Sequence, residues 1–263
     1  MHRFFVAPEL LKGKETLTLP EKLAHQVRDV LHLVVGEPLA LLDNSGDEVL
    51  AEVVKSGRAS VEVRLLERYT GKPESPVRVL LCQGLLKSAR FEWILEKGTE
   101  LGVSTFAPIL CRRSMAGLED AGPSKIRRWQ RIIQEAAEQC GRSRLPILTP
   151  VRPLMHALND IPRGALALIP WEEEHGTSLR EALTSFSVGR RLQAGVDRPP
   201  AQPLTVVLFI GPEGGLMAEE VKLAQRHGVQ PVSLGPRILR AETAALTAVA
   251  NVMYQLEQPS QQD

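Results

Sequence analysis

Two segments near the carboxyl end carry the residue types and spacings best suited to chemistry. In LTVVLFIGPEGGLMAEEV, an apolar strand-like run passes straight into Gly211-Pro212-Glu213-Gly214-Gly215 and then into a helix-like stretch. Ligands of open α/β sheets bind beyond the carboxyl ends of strands, where glycines let backbone amides and carbonyls come close. A small ligand docked on this loop is one reading, and a tight strand-to-helix turn is the other. The loop lacks the Gly-Lys-Ser/Thr of a Walker motif and is not GxGxxG, so it makes a poor phosphate cradle. The second segment, PVSLGPRILRAETAALTAVANVMYQLE, sets Leu234-Gly235-Pro236 after a strand and Arg240-Ala241-Glu242-Thr243 at the mouth of a helix. Two such loops at neighbouring strand ends could form two walls of one pocket. Glu242 in a first helical turn also serves as a dipole partner, with Arg240 as its ion-pair mate.

Other reactive groups are sparse. Cys82, Cys111 and Cys140 form no CxxC pair and leave an odd thiol over, which predicts reduced structural cysteines and no metal site. Lysine and arginine number 32 against 31 aspartate and glutamate, so no whole-molecule field attracts nucleic acid. The distribution is uneven, however, because residues 111–144 hold eight basic and four acidic side chains. Arg112, Arg113, Lys125, Arg127, Arg128, Arg142 and Arg144 are candidates to neutralise phosphates, each with a solvated surface role as the alternative. His25 and Arg28 are candidates in the amino-terminal region. Met115, Met155 and Trp171 read as packing residues.

The elements that must position these groups follow from patterning. From Pro38 to Glu67, short alternating strands separated by Asn44-Ser45-Gly46 and Ser56-Gly57-Arg58 predict a β-meander, with Val61, Val63 and Leu65 on one face. A strand over Arg3–Val6 and a helix over Glu21–Leu33 complete a small barrel-like domain, residues 1–72. Residues 73–75, between Pro73 and Pro76, read as a linker. From residue 76 to 263 buried strands alternate with helices, the signature of an α/β domain with a mostly parallel sheet. Helices are expected over Ser88–Leu101, capped by Ser88, then Ser124–Gln139, Glu219–His227 and Glu242–Glu257. Ser187–Pro203, rich in Pro, Gly and Arg, reads as a mobile surface loop. There is no bilayer-length apolar stretch, and MHRFFVAPELL lacks a signal peptide's h-region, so a cytoplasmic protein without membrane attachment is expected.

IGPEGGL at 210–216, LGPRILRAETAALTA at 234–248, EKGTELGV at 96–103 and EQCGRSRLP at 138–146 together closely resemble the RsmE-type 16S ribosomal RNA uridine-N3 methyltransferases of the SPOUT superfamily. The resemblance covers essentially the whole chain. One departure is that the family usually reads Val-Leu-Arg where this chain has Val30-Leu31-His32, which bears on RNA contact by the first domain.

The resemblance implies a PUA-like RNA-binding β-barrel followed by a SPOUT α/β domain with a C-terminal trefoil knot. It also implies S-adenosylmethionine as cofactor, a homodimer, and the 16S rRNA of the small ribosomal subunit as partner. The cofactor would lie against Ile210, Gly211, Pro212, Glu213, Gly214 and Gly215 on one loop and Leu234, Gly235, Ile238 and Leu239 on the other. A sulfonium ligand without phosphate suits close backbone carbonyls and amides. Uracil N3 carries a proton and attacks only as that proton leaves, so a carboxylate acceptor and a cation beside the flanking carbonyl oxygens are needed. Arg240 is the candidate for the cation and Glu242 for the acceptor. Alternatives on the same fold are a noncatalytic RNA-binding or ribosome-assembly protein, or methyl transfer to another base or a ribose hydroxyl.

Overall fold

The computed structural model describes residues 1–114, 122–194 and 203–257. They form two compact units. Met1–Glu74 group with Gln134–Leu145, and Ser75–Ile133 group with the described residues of Pro146–Asp263.

In the first unit, β1 (His2–Phe5), β2 (Thr16–Thr18), α1 (Glu21–His25), β3 (Pro38–Leu42), β4 (Asp47–Ser56) and β5 (Val61–Thr70) follow in chain order. The sheet order is β1-β3-β4-β5-β2, with β1 parallel to β3 and the other pairs antiparallel. The meander is present, and Val53 faces Val63 across it. Alternation places Val61 and Val63 in a core with Phe4, Leu17, Val27, Leu39 and Leu41. The helix expected to reach Leu33 stops sooner. α1 widens into a π-helical turn over Gln26–Val30, and His32 takes a left-handed φ of 55° that ends it. Gln134–Leu145 belong to this unit through specific bonds: Phe5 N donates to Glu138 Oε1 at 2.9 Å, Leu145 N to Asn44 Oδ1 at 2.7 Å, and Arg142 Nη2 to Glu74 Oε2 at 2.6 Å. The expected linker at 73–75 therefore does not by itself mark the edge of the first unit.

The second unit holds β6 (Val77–Gly84), α2 (Ser88–Glu100), β7 (Val103–Leu110), the first part of α3 (Pro123–Cys140), β8 (Ile147–Leu148), β9 (Arg152–Pro153) and α4 (Leu154–Asn159). It continues with β10 (Leu166–Pro170), α5 (Leu179–Ala194), β11 (Leu204–Ile210), α6 (Ala218–Arg226), β12 (Gln230–Val232) and α7 (Ala241–Leu256). The sheet order is β12-β10-β11-β6-β7-β8, with β9 also on β7, and every pairing is parallel. All strand carboxyl ends therefore share one edge. β11 lies between β10 and β6, and Val206–Ile210 are buried, each such side chain contributing about 1.5–3 kcal/mol by leaving water. On α2, Phe91, Ile94 and Leu95 face the core, and Phe91 packs on Trp129 of α3 with ring centroids 4.5 Å apart.

Two local expectations are corrected. Ser88 does not cap α2: Lys87 occupies the N-cap position, and the Ser88 hydroxyl donates to Glu92 Oε1 at 3.1 Å. Residues 187–194 are helical, the end of α5, because Leu179, Ala182 and Leu183 bury at helical spacing. The α5 start is a Ser178-x-x-Glu181 box, with Glu181 N donating to Ser178 Oγ and Ser178 N to Glu181 Oε2. The remainder of the expected loop, 195–202, lies outside the described residues, as does Met115.

Candidate active site

At the carboxyl ends of β10, β11 and β12 lies a cavity of about 620 Å³, within the range of about 300–1,000 Å³ usual for small-ligand sites. Its lining includes Ile210, Gly211, Pro212, Glu213, Gly214 and Gly215 from the loop after β11. Leu234, Gly235, Ile238, Leu239 and Arg240 line it from the loop after β12. Glu242 is not part of the lining; the first turn of α7 directs its carboxylate elsewhere.

The first wall is tightly held from behind. A Cβ at Gly84, the last residue of β6, would lie 2.6 Å from Pro212 N and 2.8 Å from Gly211 C, so only glycine lets the strand end meet this loop. Gln83 Nε2 donates to Gly211 O at 3.3 Å, and Arg113 Nη1 to Gly214 O at 3.0 Å. The residues just after β7 are anchored in turn by Glu220, whose buried carboxylate accepts from Arg112 N and Met217 N, both at 2.9 Å. The second wall is open. Gly235 has φ of 113°, a conformation suited to glycine, but a Cβ there would meet nothing within 4 Å. Ile238 is 87% exposed.

A third wall was not anticipated. Trp171, Glu172, His175 and Glu181, from the segment after β10 and the start of α5, also line the cavity. The Trp171 indole Nε1 is buried without an acceptor among the described residues. The signal was available: ALALIP is a buried strand ending in WEEEH, a third strand end at the same edge. Its Glu172 and Glu181 give the cavity lining carboxylates that suit a cationic ligand.

The ion pairing differs from the expected one. Arg240 is exposed, and its guanidinium makes no hydrogen bond or ion pair among the described residues. Glu242, 9% exposed, instead pairs with Arg90 of α2 at 3.6 Å, and Arg90 also lies 3.6 Å from Glu213. Glu213 accepts a further bond from Lys87 N at 3.1 Å, which satisfies a donor at the uncapped start of α2. One oxygen of each carboxylate, Glu213 Oε2 and Glu242 Oε2, is buried with no donor among the described residues.

Several candidate phosphate contacts are already engaged. Arg28 donates to Asp29 and to the Gly57 carbonyl, and with His25 it holds the Asp29 carboxyl well below the usual carboxylate range. Arg128 pairs with Glu92 at 2.6 and 2.8 Å and lowers the Glu92 pKa, and Lys125 lies 5.3 Å over the Trp129 ring. Arg142 is tied to Glu74, and Arg113 to the Gly214 carbonyl. Arg112, Arg127 and Arg144 are exposed, with side chains unpaired among the described residues. Burial pushes the Cys82 and Cys111 thiols up to about 12, which leaves them unreactive.

Residues 73–253 match the RNA methyltransferase domain family. The chain is 31% identical over 261 residues to ribosomal RNA small subunit methyltransferase E of Bacillus subtilis, spanning 98% of both proteins. It is 35% identical over 256 residues to that of Synechocystis, spanning 97% of this chain and 78% of the relative. The solved ribosomal RNA small subunit methyltransferase E of Neisseria gonorrhoeae, bound to S-adenosyl methionine, superposes with a TM-score of 0.79 at 30% identity over 97% of each chain. A Legionella pneumophila protein solved with bound SAM gives 0.80 at 32% identity over 96% of each. The second unit thus has an α/β methyltransferase fold. With likeness extending through both units, the chain belongs to the ribosomal RNA small subunit methyltransferase E family.

Proposed function

We propose that this chain transfers a methyl group from S-adenosylmethionine to N3 of a uridine in the 16S rRNA of the small ribosomal subunit. The observation that carries the reading is the cavity at the carboxyl ends of β10, β11 and β12, with Arg240 on its lining and unpaired among the described residues. Its residues fit that cofactor. Gly-Pro loops present main-chain groups at close range, and the Glu172 and Glu181 carboxylates complement a cationic ligand. Bound there, the cofactor supplies an electrophilic methyl group on a positive sulfonium. Arg240 stabilises negative charge developing on a uracil carbonyl oxygen as the N3 proton departs. Glu242 lies off the cavity and supports the start of α7, and Glu213, in the lining with a buried free oxygen, is better placed as the proton's acceptor.

The first unit serves as a PUA-like RNA-binding domain, supported by its five-stranded sheet and separate core. Arg112, Arg127 and Arg144 make the RNA contacts, and the target base is flipped from its stack to reach the cavity. A trefoil knot in the second unit is part of the same reading, supported by the near full-length likeness to the family. A homodimer is supported by the exposed face of α7, where Tyr254 is 88% exposed in line with exposed Asn251 and Thr243. Among the described residues no helix is long and apolar enough to cross a membrane, and the proposed site of action is the cytoplasm.

Incubation with labelled S-adenosylmethionine and small ribosomal subunits lacking the mark is expected to label one uridine, located by mass mapping. Label on a ribose or another base would change the target. No label, under conditions where the protein binds the cofactor, would reject the reaction.

A further inference from the structure

We infer that Arg90 is a positioning residue that holds both cofactor-facing loops by drawing Glu213 and Glu242 to one guanidinium. The inference rests on the reading of the cavity as the S-adenosylmethionine site. Glu213 sits between Pro212 and Gly214 of the first wall, and Glu242 follows two residues after Arg240 of the second. The two carboxylates come from different elements, yet each lies 3.6 Å from Arg90, one from Nη1 and the other from Nε. Separate edges of a planar guanidinium thus serve separate loops, which a lysine ammonium cannot reproduce in the same geometry.

Arg90 is well placed to act as a fixed post. Its neighbour Phe91 is buried in the core, so α2 is anchored; the Lys87 amide at its start bonds Glu213, and the Arg90 guanidinium reaches both Glu213 and Glu242. Both distances exceed a hydrogen bond, so the hold is electrostatic. Arg90 is 42% exposed, which keeps its contribution to global stability small. The local consequence is larger, because Glu242 is buried and has no other cation within ion-pair distance among the described residues. Without Arg90, two partly or fully buried like charges would face each other across the gap, and the loops carrying them would separate.

The test is calorimetric binding of S-adenosylmethionine to the full-length protein and its variants, with thermal unfolding measured alongside. Arg90→Met keeps the stem but removes the charge. It is expected to weaken cofactor binding about tenfold, equivalent to about 1.4 kcal/mol, and to raise the cofactor KM with kcat changed less. Adding Glu213→Gln and Glu242→Gln to Arg90→Met is expected to restore most of the affinity, because neutral side chains no longer repel. Should Arg90→Met not fold, Arg90→Lys is read instead, with an expected loss of about threefold. Unchanged binding in the variant that folds would overturn the inference. So would a triple variant no better than Arg90→Met, since loss of packing is not repaired by removing charge. Failure of the unaltered protein to bind S-adenosylmethionine would overturn the reading of the cavity and this inference together, whereas normal binding with an insensitive Arg90 would overturn the inference alone.

Discussion

The two glycine loops of the cavity share a composition and a place at the sheet edge, but they are built to opposite standards. The loop after β11 is pressed against Gly84 and held through its carbonyls by Gln83 and Arg113. The loop after β12 is tied only at its start, where Ser233 N donates to Thr177 O at 2.8 Å, Leu179 N to Ser233 O at 3.0 Å and Gly235 N to Ser233 Oγ at 3.2 Å; beyond that it stands open, with Ile238 in solvent and Arg240 unpaired among the described residues. A wall that must present main-chain groups at fixed positions benefits from rigid support. A wall that must admit a substrate and place a cation on it benefits from freedom to adjust. The difference divides the work: the first loop defines the ligand's shape, and the second meets the reacting group.

Four measurements test that division, beginning with the largest effect. Arg240→Ala is expected to lower kcat by about 100-fold or more, the usual cost of removing a transition-state donor, while cofactor and RNA affinities change little. Equal losses in turnover and RNA binding would show that Arg240 merely holds RNA. Gly84→Ala comes next. Its added methyl meets backbone, so an overpacking cost of about 1–3 kcal/mol should lower the melting temperature by about 2–10 °C and weaken cofactor binding. Gly235→Ala introduces backbone strain of about 1–3 kcal/mol, but its open surroundings allow relaxation, so its melting temperature should fall less than that of Gly84→Ala. Equal falls would erase the contrast between the walls.

The smallest effect is kinetic. Cys82 adjoins Gln83 and Cys111 adjoins the Arg112–Arg113 anchor, so both thiols report on the tight wall. Burial pushes both pKa values up, which disfavours the thiolate that alkylation requires. Alkylation followed by mass spectrometry should mark exposed Cys140 alone in the native protein, with Cys82 labelling accelerated in Gly84→Ala. Rapid native labelling of Cys82 would mean the tight wall opens freely.

The sequence disclosed the loops themselves because glycine and proline after a buried strand leave few local alternatives. Parallel strands were legible for a related reason: Val206–Ile210 is apolar on both faces, and only a sheet covered on both sides accommodates that. What escaped were relations between distant positions. Glu242 was paired with its neighbour Arg240 by proximity in sequence, whereas tertiary packing brought it to Arg90. Glu213 likewise took over the helix-start role assigned to Ser88. No helix was expected at α5, and its last residues were read as a loop, because Pro, Gly and Arg beyond residue 187 outweighed the Ser178-x-x-Glu181 signal before it. Trp171 does pack against an apolar core, as read, but its place on the cavity wall went unread because a single aromatic carries no periodicity.

The membership of Gln134–Leu145 in the first unit also constrains how this protein can be dissected or assembled. A fragment ending at Glu74 would leave Asn44 without the amide of Leu145 and the Phe5 amide without the Glu138 carboxylate. That fragment is expected to be less stable than the intact unit. During synthesis the amino-terminal sheet must await a segment translated well after its own last strand, and only then can its tertiary bonding be completed.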